Sequence, residues 1–448
     1  MKQGYITVFF SIIMAVCLSL LVGLLYGARE NAIRAKAAEA METAGISAFA
    51  EYDINLWNRY GLLYVDAGYK SKIDNFIIPE EHARQCMNKN FDEMRFKLLG
   101  GVDLYKLSCT AVETKGIRFA SDMAGAGIRR QACKIMEYEY GLAYAEALYN
   151  AVTQNSNDSF SEDDFSEELA DAINSVQNKD SKKKPVMTEW LDSAKEMLAD
   201  CNEKESRLVK KVTRKDISEA AVNEDLLLSN RKLNCGNIPI KDSGGIKEYV
   251  LFRAYLNRYC GCFVSQNSDS LLKYETEYLI QGKPSDVENL NAIARKLLLI
   301  RLSINLSKAY ADKKLQGEIK TVVLAITTFL GIPESTDTLM FIINLVMGYR
   351  TSINDLKNLF NGKDVDKSAD DTDSSKMSYK DYLNVFMYAT DTKKLTERFM
   401  NLCEMNIRNI SQNPDFRLDN CFDAWEFTAF FASEYGYTYT ATRKYDIE

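Results

Sequence analysis

An uninterrupted apolar run opens the chain, and a mostly polar sequence follows it. Residues 5–26 read YITVFFSIIMAVCLSLLVGLLY and contain no charged side chain. At about 1.5 Å per residue this run makes a helix of about 33 Å, which is long enough to cross the hydrocarbon core of a bilayer. A secretory signal peptide has a shorter apolar region, about 7–15 residues, and a small-x-small cleavage site. The pattern therefore predicts a retained transmembrane anchor over residues 1–27.

After the anchor, small apolar residues recur at steps of three and four, as they do along one face of a helix. No proline lies between residues 28 and 60, so we predict a stalk helix over 28–60 that Gly61 ends. Mostly alanine, the stripe allows another element to approach closely. Two packing partners are predicted: the chain's own sheet for the half from Ala44 to Trp57, and a partner's anchor for the half from Ile33 to Ala40. The stripe consists of Ile33, Ala37, Ala40, Ala44 and Ala48.

Strand patterns lie at both ends of the remaining chain. In residues 61–152 the segments 61–69 and 104–113 have strand character, and helices are predicted over 80–98 and from about Gly127 to Val152. Residues 411–448 are rich in Phe, Tyr, Trp and Thr, which predicts two strands, the second starting near Tyr435. We therefore predict a mainly helical α+β fold in which the anchor and stalk helix packs on a small antiparallel sheet.

Between these strands the sequence predicts a large helical insertion. Residues 153–186 are acidic and then basic, with few large apolar residues, which predicts a mobile polar insertion; residues 187–410 return to a helical pattern. The apolar runs 321–332 and 339–349 are shorter than the ~17 residues that a membrane span needs. We predict a buried helical hairpin there, and a re-entrant or surface-lying pair is the alternative.

Composition argues against several classes of function. A net charge of −7 and a pI near 5.3 do not favour nucleic acid as a partner. The only histidine is His82, on a charged helix surface, and there is no HExxH, GxGxxG or GxxxxGK[ST] motif. We therefore predict no enzymatic activity, cofactor, metal or small-molecule substrate. The acids Glu275 and Glu277 are expected to form structural salt bridges with Arg295 and Arg301, and a carboxylate-based hydrolase is the enzymatic alternative.

The ten cysteines do not form an obvious disulfide pattern. Cys17 lies in the anchor, which leaves an odd number, and the one close pair is Cys260 and Cys262. No CxxC motif occurs, whereas zinc sites usually repeat such short spacings. We expect small buried apolar side chains that suit a reducing or anaerobic setting.

The segment GYITVFF at Gly4 resembles the N-termini of TadE-like and other pseudopilin-type proteins of Tad pilus systems. Four further stretches are similar to an uncharacterised Gram-positive family whose members are typically encoded among Tad-pilus components. The resemblance implies leader cleavage between Gly4 and Tyr5. Processed pilins usually have Glu five residues after that glycine, where this chain has Phe9. This departure argues against cleavage at Gly4 and against packing into a pilus shaft, so an accessory or minor subunit is expected. The four stretches are FAEYDINLWNRYGLLYVD, FASDMAGAGIRRQACKIMEYEYG, LLLSNRKLNCGN and YETEYLIQGKPSDVENLNAIARKLLLIR.

From this resemblance we expect a single-pass membrane protein that acts through helix packing and protein binding. Its partners would be the membrane and other proteins of a pilus or secretion apparatus, and its C-terminal domain would be extracellular. Counting Lys and Arg beside the span favours the opposite orientation, although large domains translocate despite such charges. A membrane-anchored extracellular receptor or adhesin unrelated to pili is the alternative function.

Overall fold

The computed structural model describes residues 2–69, 76–93, 106–155, 192–200 except 194 and 198, 207–240, 245–330, 336–368, 375–434 and 436–447. The chain divides into two compact units. The first comprises Met1–Gln131, Lys232–Asp242 and Ser411–Glu448, and the second comprises Ala132–Arg231 and Ser243–Ile410. The second unit is thus inserted in sequence between parts of the first.

One long helix, α1 (Lys2–Ala50), contains both the predicted anchor and most of the predicted stalk. The stalk differs from its prediction at the distal end, because 28–60 is two helices: α2 (Ile54–Tyr60) begins anew after a break. The cause is Asp53, whose side chain caps α2 by accepting hydrogen bonds from the Asn55 and Leu56 amides. Gly61 ends α2 in the left-handed conformation, at φ 69°, as its sequence position predicts.

The sheet of the first unit is built around its last long strand. β5 (Cys421–Ser433) pairs antiparallel with β2 (Leu107–Phe119) on one side and with β6 (Thr438–Asp446) on the other. The short β1 (Val65–Asp66) pairs with the start of β5 beside β6. Early and C-terminal strands therefore share one antiparallel sheet, and the predicted mainly helical α+β fold is confirmed.

The helices on the sheet depart slightly from their predicted bounds. α3 spans Ile77–Glu93 and packs on both α1 and β2. β2 continues to Phe119, beyond the predicted end at 113, because β5 offers a pairing partner along its whole length. α4 (Asp122–Asn155) starts earlier than predicted, and its first turn is left-handed, with φ of 49°, 54° and 75° at Met123, Ala124 and Gly125.

The regular elements in the described part of the second unit are helices, apart from one two-stranded ribbon. Residues 321–330 and 339–349 of the two apolar runs belong to the helices α9 (Lys313–Leu330) and α10 (Thr336–Phe360), which pack through Ile319, Val323, Leu339 and Ile343. Residues 331–335 of the predicted hairpin lie outside the described residues, as do residues 156–186 of the predicted polar insertion. The elements are α5 (Arg207–Val212), α6 (Ile246–Tyr259), α7 (Glu275–Gln281), α8 (Asp286–Ala311), α9 (Lys313–Leu330), α10 (Thr336–Phe360), β3 (Val365–Asp366), β4 (Lys376–Met377), α11 (Tyr379–Ala389) and α12 (Thr392–Ser411).

Candidate functional site

The N-terminal half of α1 exposes an apolar surface on every side. All its described side chains from Ile6 to Tyr26 are exposed. Within the described residues this helix alone is long and apolar enough to cross a membrane. Gly4 and Tyr5, which flank the candidate leader-cleavage site, lie inside α1. The exposed apolar surface is what a membrane anchor requires.

Small residues follow one another along the anchor at intervals of four, a pattern that our reading of the sequence missed. Ser19, Gly23 and Gly27 occupy successive turns of α1. A Cβ atom added at either glycine would meet no atom within 4 Å, so the fold of the chain itself does not require glycine there. Such spacing in an apolar helix allows a second helix to pack closely.

The C-terminal half of α1 is embedded in the core of the first unit. The five stripe residues are all buried, with exposed fractions of 4% or less: Ile33, Ala37, Ala40, Ala44 and Ala48. They belong to one apolar cluster with residues of α3, β2 and β5. This corrects the expectation that the half from Ile33 to Ala40 is free to pack on a partner's anchor. The chain's own head reaches further toward the anchor than the sequence revealed.

Contacts between α1 and β6 fix their relative direction. The Arg34 guanidinium lies 6.0 Å from the centre of the Tyr439 ring. Farther along both elements, Gly45 faces Tyr445 so closely that an added Cβ would lie 2.5 Å from its ring. β6 therefore runs beside α1 in the same direction, away from the anchor.

The outer edge of the sheet at β2 is occupied by side chains. They form hydrogen bonds with the backbone groups of β2 that do not face β5. The Asn88 amide exchanges two hydrogen bonds with the backbone of Cys109, the Glu80 carboxylate accepts from the Thr114 amide, and the Asn237 side chain accepts from the Ile117 amide. These contacts close the β2 edge to a further strand.

A buried charge cluster fastens the end of β6 to the sheet. The Arg118 guanidinium donates to Asp423 at 2.6 Å and to Asp446 at 2.5 and 3.0 Å. Burial by itself lowers the pKa of Arg118, but hydrogen bonds and charges from Asp446 and Asp423 raise it overall. The hydroxyl of buried Tyr64 and one Asp423 oxygen, both beside Gly127, have no hydrogen-bond partner among the described residues. Three of its side chains, Arg118, Asp423 and Tyr64, are almost fully buried, so we assign this cluster a structural role.

In the second unit, the predicted salt bridges do not form. Arg301 pairs instead with Asp355, at 2.7 Å. Glu277 accepts hydrogen bonds from the Phe263 amide and the Tyr379 hydroxyl, both at 2.8 Å. Glu275 likewise bonds neutral donors, including the Gly261 amide. Helix α7 buries both carboxylates completely, a placement that their sequence spacing did not reveal.

Burial has a clear electrostatic effect on Glu277. It raises the pKa of this carboxyl to about 7, since the charged form loses its hydration and no described residue forms an ion pair with it. Its second oxygen has no hydrogen-bond partner among the described residues.

The remaining polar candidates offer no chemistry that we can assign. Within the described residues no cluster of His, Cys, Asp and Glu could hold a metal ion. None of the nine described cysteines forms a disulfide with another described residue, and six of them are buried, including Cys260 and Cys262. His82 is partly exposed on α3 and contacts the Glu51 carboxylate at 3.0 Å.

Comparison with known proteins gives one match. The model of a family of unknown function (DUF5702) matches residues 180–373 and 364–433, which together cover more than half of the chain. No curated protein and no solved structure matches the chain.

Proposed function

The chain belongs to the family of unknown function DUF5702, whose description assigns no activity, so we propose its function from its architecture. The proposal is a membrane-anchored, non-enzymatic accessory component of a Tad-type, type IV pilus-like surface apparatus. The observation that carries it is the division of α1, which is apolar and exposed before residue 28 and buried in the head from Ile33 onward. One continuous helix thereby joins an anchor rigidly to a folded head, the arrangement that the resemblance to pseudopilin-type proteins implies.

The mechanism that we propose is lateral packing of the anchor together with protein binding by the head. Because the stripe from Ile33 to Ala48 is buried, the anchor half of α1 must supply the packing surface. The intervals between Ser19, Gly23 and Gly27 suit close approach of another apolar helix. In this proposal the head lies on the extracellular side.

Affinity purification of the tagged full chain from membranes, followed by mass spectrometry, tests the proposal. We expect pilus-apparatus proteins to co-purify with the wild type and to be lost with Gly23→Leu, since leucine separates the helices. Cys17→Leu, a similar enlargement on another exposed face of α1, is the matched control and should retain them. Recovery of no apparatus protein with the wild type would contradict the pilus proposal.

A second candidate function is an extracellular receptor or adhesin unrelated to pili. It is favoured by the exposed apolar pair Ile54 and Trp57 on α2, with exposed fractions of 52% and 42%, just beyond the distal end of α1. Neighbouring genes for a secretion ATPase, a platform protein and a prepilin peptidase would support the pilus function. Their absence would favour the adhesin.

A further inference from the structure

The outer edge of β6 presents backbone groups that have no hydrogen-bond partner among the described residues. The Ser433 amide donates to the Tyr437 carbonyl at one end of the β5–β6 pair, and the Ile447 amide donates to the Asp423 carbonyl at the other. The register between them is unbroken, so hydrogen-bonded pairs alternate with non-hydrogen-bonded pairs along β5 and β6. Every second residue of β6 therefore points its N–H and C=O away from β5. No described residue bonds these outward groups. They belong to Thr438, Thr440, Thr442, Lys444 and Asp446.

A second copy of this chain does not fit that edge. β6 runs with α1 away from the anchor, so two β6 strands paired antiparallel would point their anchors in opposite directions. Two chains proposed to share one membrane cannot adopt that arrangement. A neighbour translated in the same orientation would offer its β2 edge, which Asn88, Glu80 and Asn237 close. A neighbour rotated about the membrane normal would offer β6 in parallel, and this would bring the cations of β6 from both copies together.

Charge on β6 indicates the chemistry of the partner. Arg443 and Lys444 are adjacent and exposed; Glu426 of β5 lies opposite Lys444, but neither cation forms an ion pair with a described residue. Alternation along a strand places the two cations on opposite faces of the sheet. Like charges on an edge oppose pairing between copies, whereas they attract an acidic strand.

We infer that β6 is the docking edge of the head for an extended acidic segment of another protein, which adds a strand beside Thr438–Asp446. Backbone hydrogen bonds would supply affinity, and Arg443 and Lys444 would supply the charge preference. This inference deepens the proposed function, because it rests on the anchoring of α1 in a shared membrane. It does not depend on which apparatus the protein serves.

Peptide binding to the full chain in detergent tests the inference. The probe is the labelled peptide Thr-Val-Thr-Glu-Glu-Val-Thr-Val, whose adjacent glutamates place one acid on each face of the added strand. The control peptide replaces both glutamates by lysine. Fluorescence anisotropy measures affinity, and hydrogen–deuterium exchange locates the protected amides.

Two pairs of protein variants separate backbone pairing from charge. Thr440→Pro removes an outward N–H that β5 does not use, a change that edge strands tolerate, and Thr440→Val is its matched control. We expect protection of residues 438–446 by the acidic peptide, a loss of at least tenfold in affinity with Thr440→Pro, and little change with Thr440→Val. Lys444→Glu should favour the lysine peptide instead, and Lys444→Gln should bind both peptides weakly.

Several results would overturn the inference. Equal binding of the acidic peptide to a folded Thr440→Pro chain would exclude strand addition, as would absence of protection at 438–446. If Thr440→Pro does not fold, an unchanged peptide preference in Lys444→Glu decides against the inference. Protection of β6 without peptide that increases with protein concentration would identify a second copy as the occupant. Loss of pilus-protein co-purification with intact peptide binding would refute only the proposed function.

Discussion

The buried carboxyl of Glu277 makes the stability of the second unit sensitive to pH. It lies on α7 with two neutral hydrogen-bond donors, the Phe263 amide and the Tyr379 hydroxyl. Glu277→Gln keeps the shape and the accepting oxygen while removing the charge. The variant therefore tests whether ionisation at this site opposes folding.

The magnitude follows from the difference in pKa between the folded and unfolded chain. Burial raises the pKa of Glu277 from 4.5 to about 7, and each pH unit of difference corresponds to about 1.4 kcal/mol. The neutral carboxyl thus contributes about 3 kcal/mol of stability that is fully present below pH 4.5 and is lost as pH rises through 7. Above pH 7, Glu277→Gln should be the more stable protein by about that amount.

Differential scanning fluorimetry of both proteins in mild detergent, from pH 4.5 to pH 8.5, measures this effect. Subtracting the two curves removes the titration of all other groups that the variant leaves unchanged. We expect nearly equal melting temperatures at pH 4.5 and an advantage of roughly 5–10 °C for Glu277→Gln at pH 8.5. A difference in melting temperature that does not vary with pH would refute this account of Glu277.

Three further tests concern the first unit and its long helix, with Gly317→Ala in the second unit as one of the controls. Ala40→Glu places an unpaired carboxylate in the core, so the melting temperature of the head should fall by several degrees; an unchanged melt would show that this face is open. Gly45→Ala drives a methyl group into the Tyr445 ring and should destabilise, whereas Gly317→Ala meets no atom within 4 Å and should stabilise by about 1 kcal/mol in chemical denaturation. Arg118→Met leaves Asp423 buried beside fewer cations. We expect the free energy of unfolding to fall by about 3–5 kcal/mol in the same measurement, and by less with Arg118→Lys, which keeps the positive charge.

Local patterns in the sequence were sufficient to predict the long N-terminal apolar helix, the stalk stripe and the sheet. An uncharged run, small residues at helical spacing and an aromatic-rich C-terminus each determine structure through neighbours in sequence. The break at Asp53 was also visible in principle, because aspartate favours the N-cap of a new helix, but a search for proline and glycine alone overlooked it.

Long-range pairing could not be predicted from one sequence. The spacing of Glu275 and Glu277 is compatible with surface salt bridges, and only the folded chain shows that Arg301 is committed to Asp355, 54 positions away. The depth of Ile33 in the core likewise depends on how far a distant sheet extends along α1. For the same reason the open edge of β6 became apparent only from its register with β5.

The most direct test of the central claim is alkaline extraction of membranes that contain the full chain. If the exposed half of α1 is an anchor, the wild type should remain entirely in the membrane pellet. Replacing Met14 and Leu18, both exposed on α1, by lysine should release the chain, because two charges near the middle of the span oppose insertion, while the melting temperature of the head stays unchanged. Extraction of the wild-type chain into the soluble fraction would contradict the claim that α1 anchors the head in a membrane.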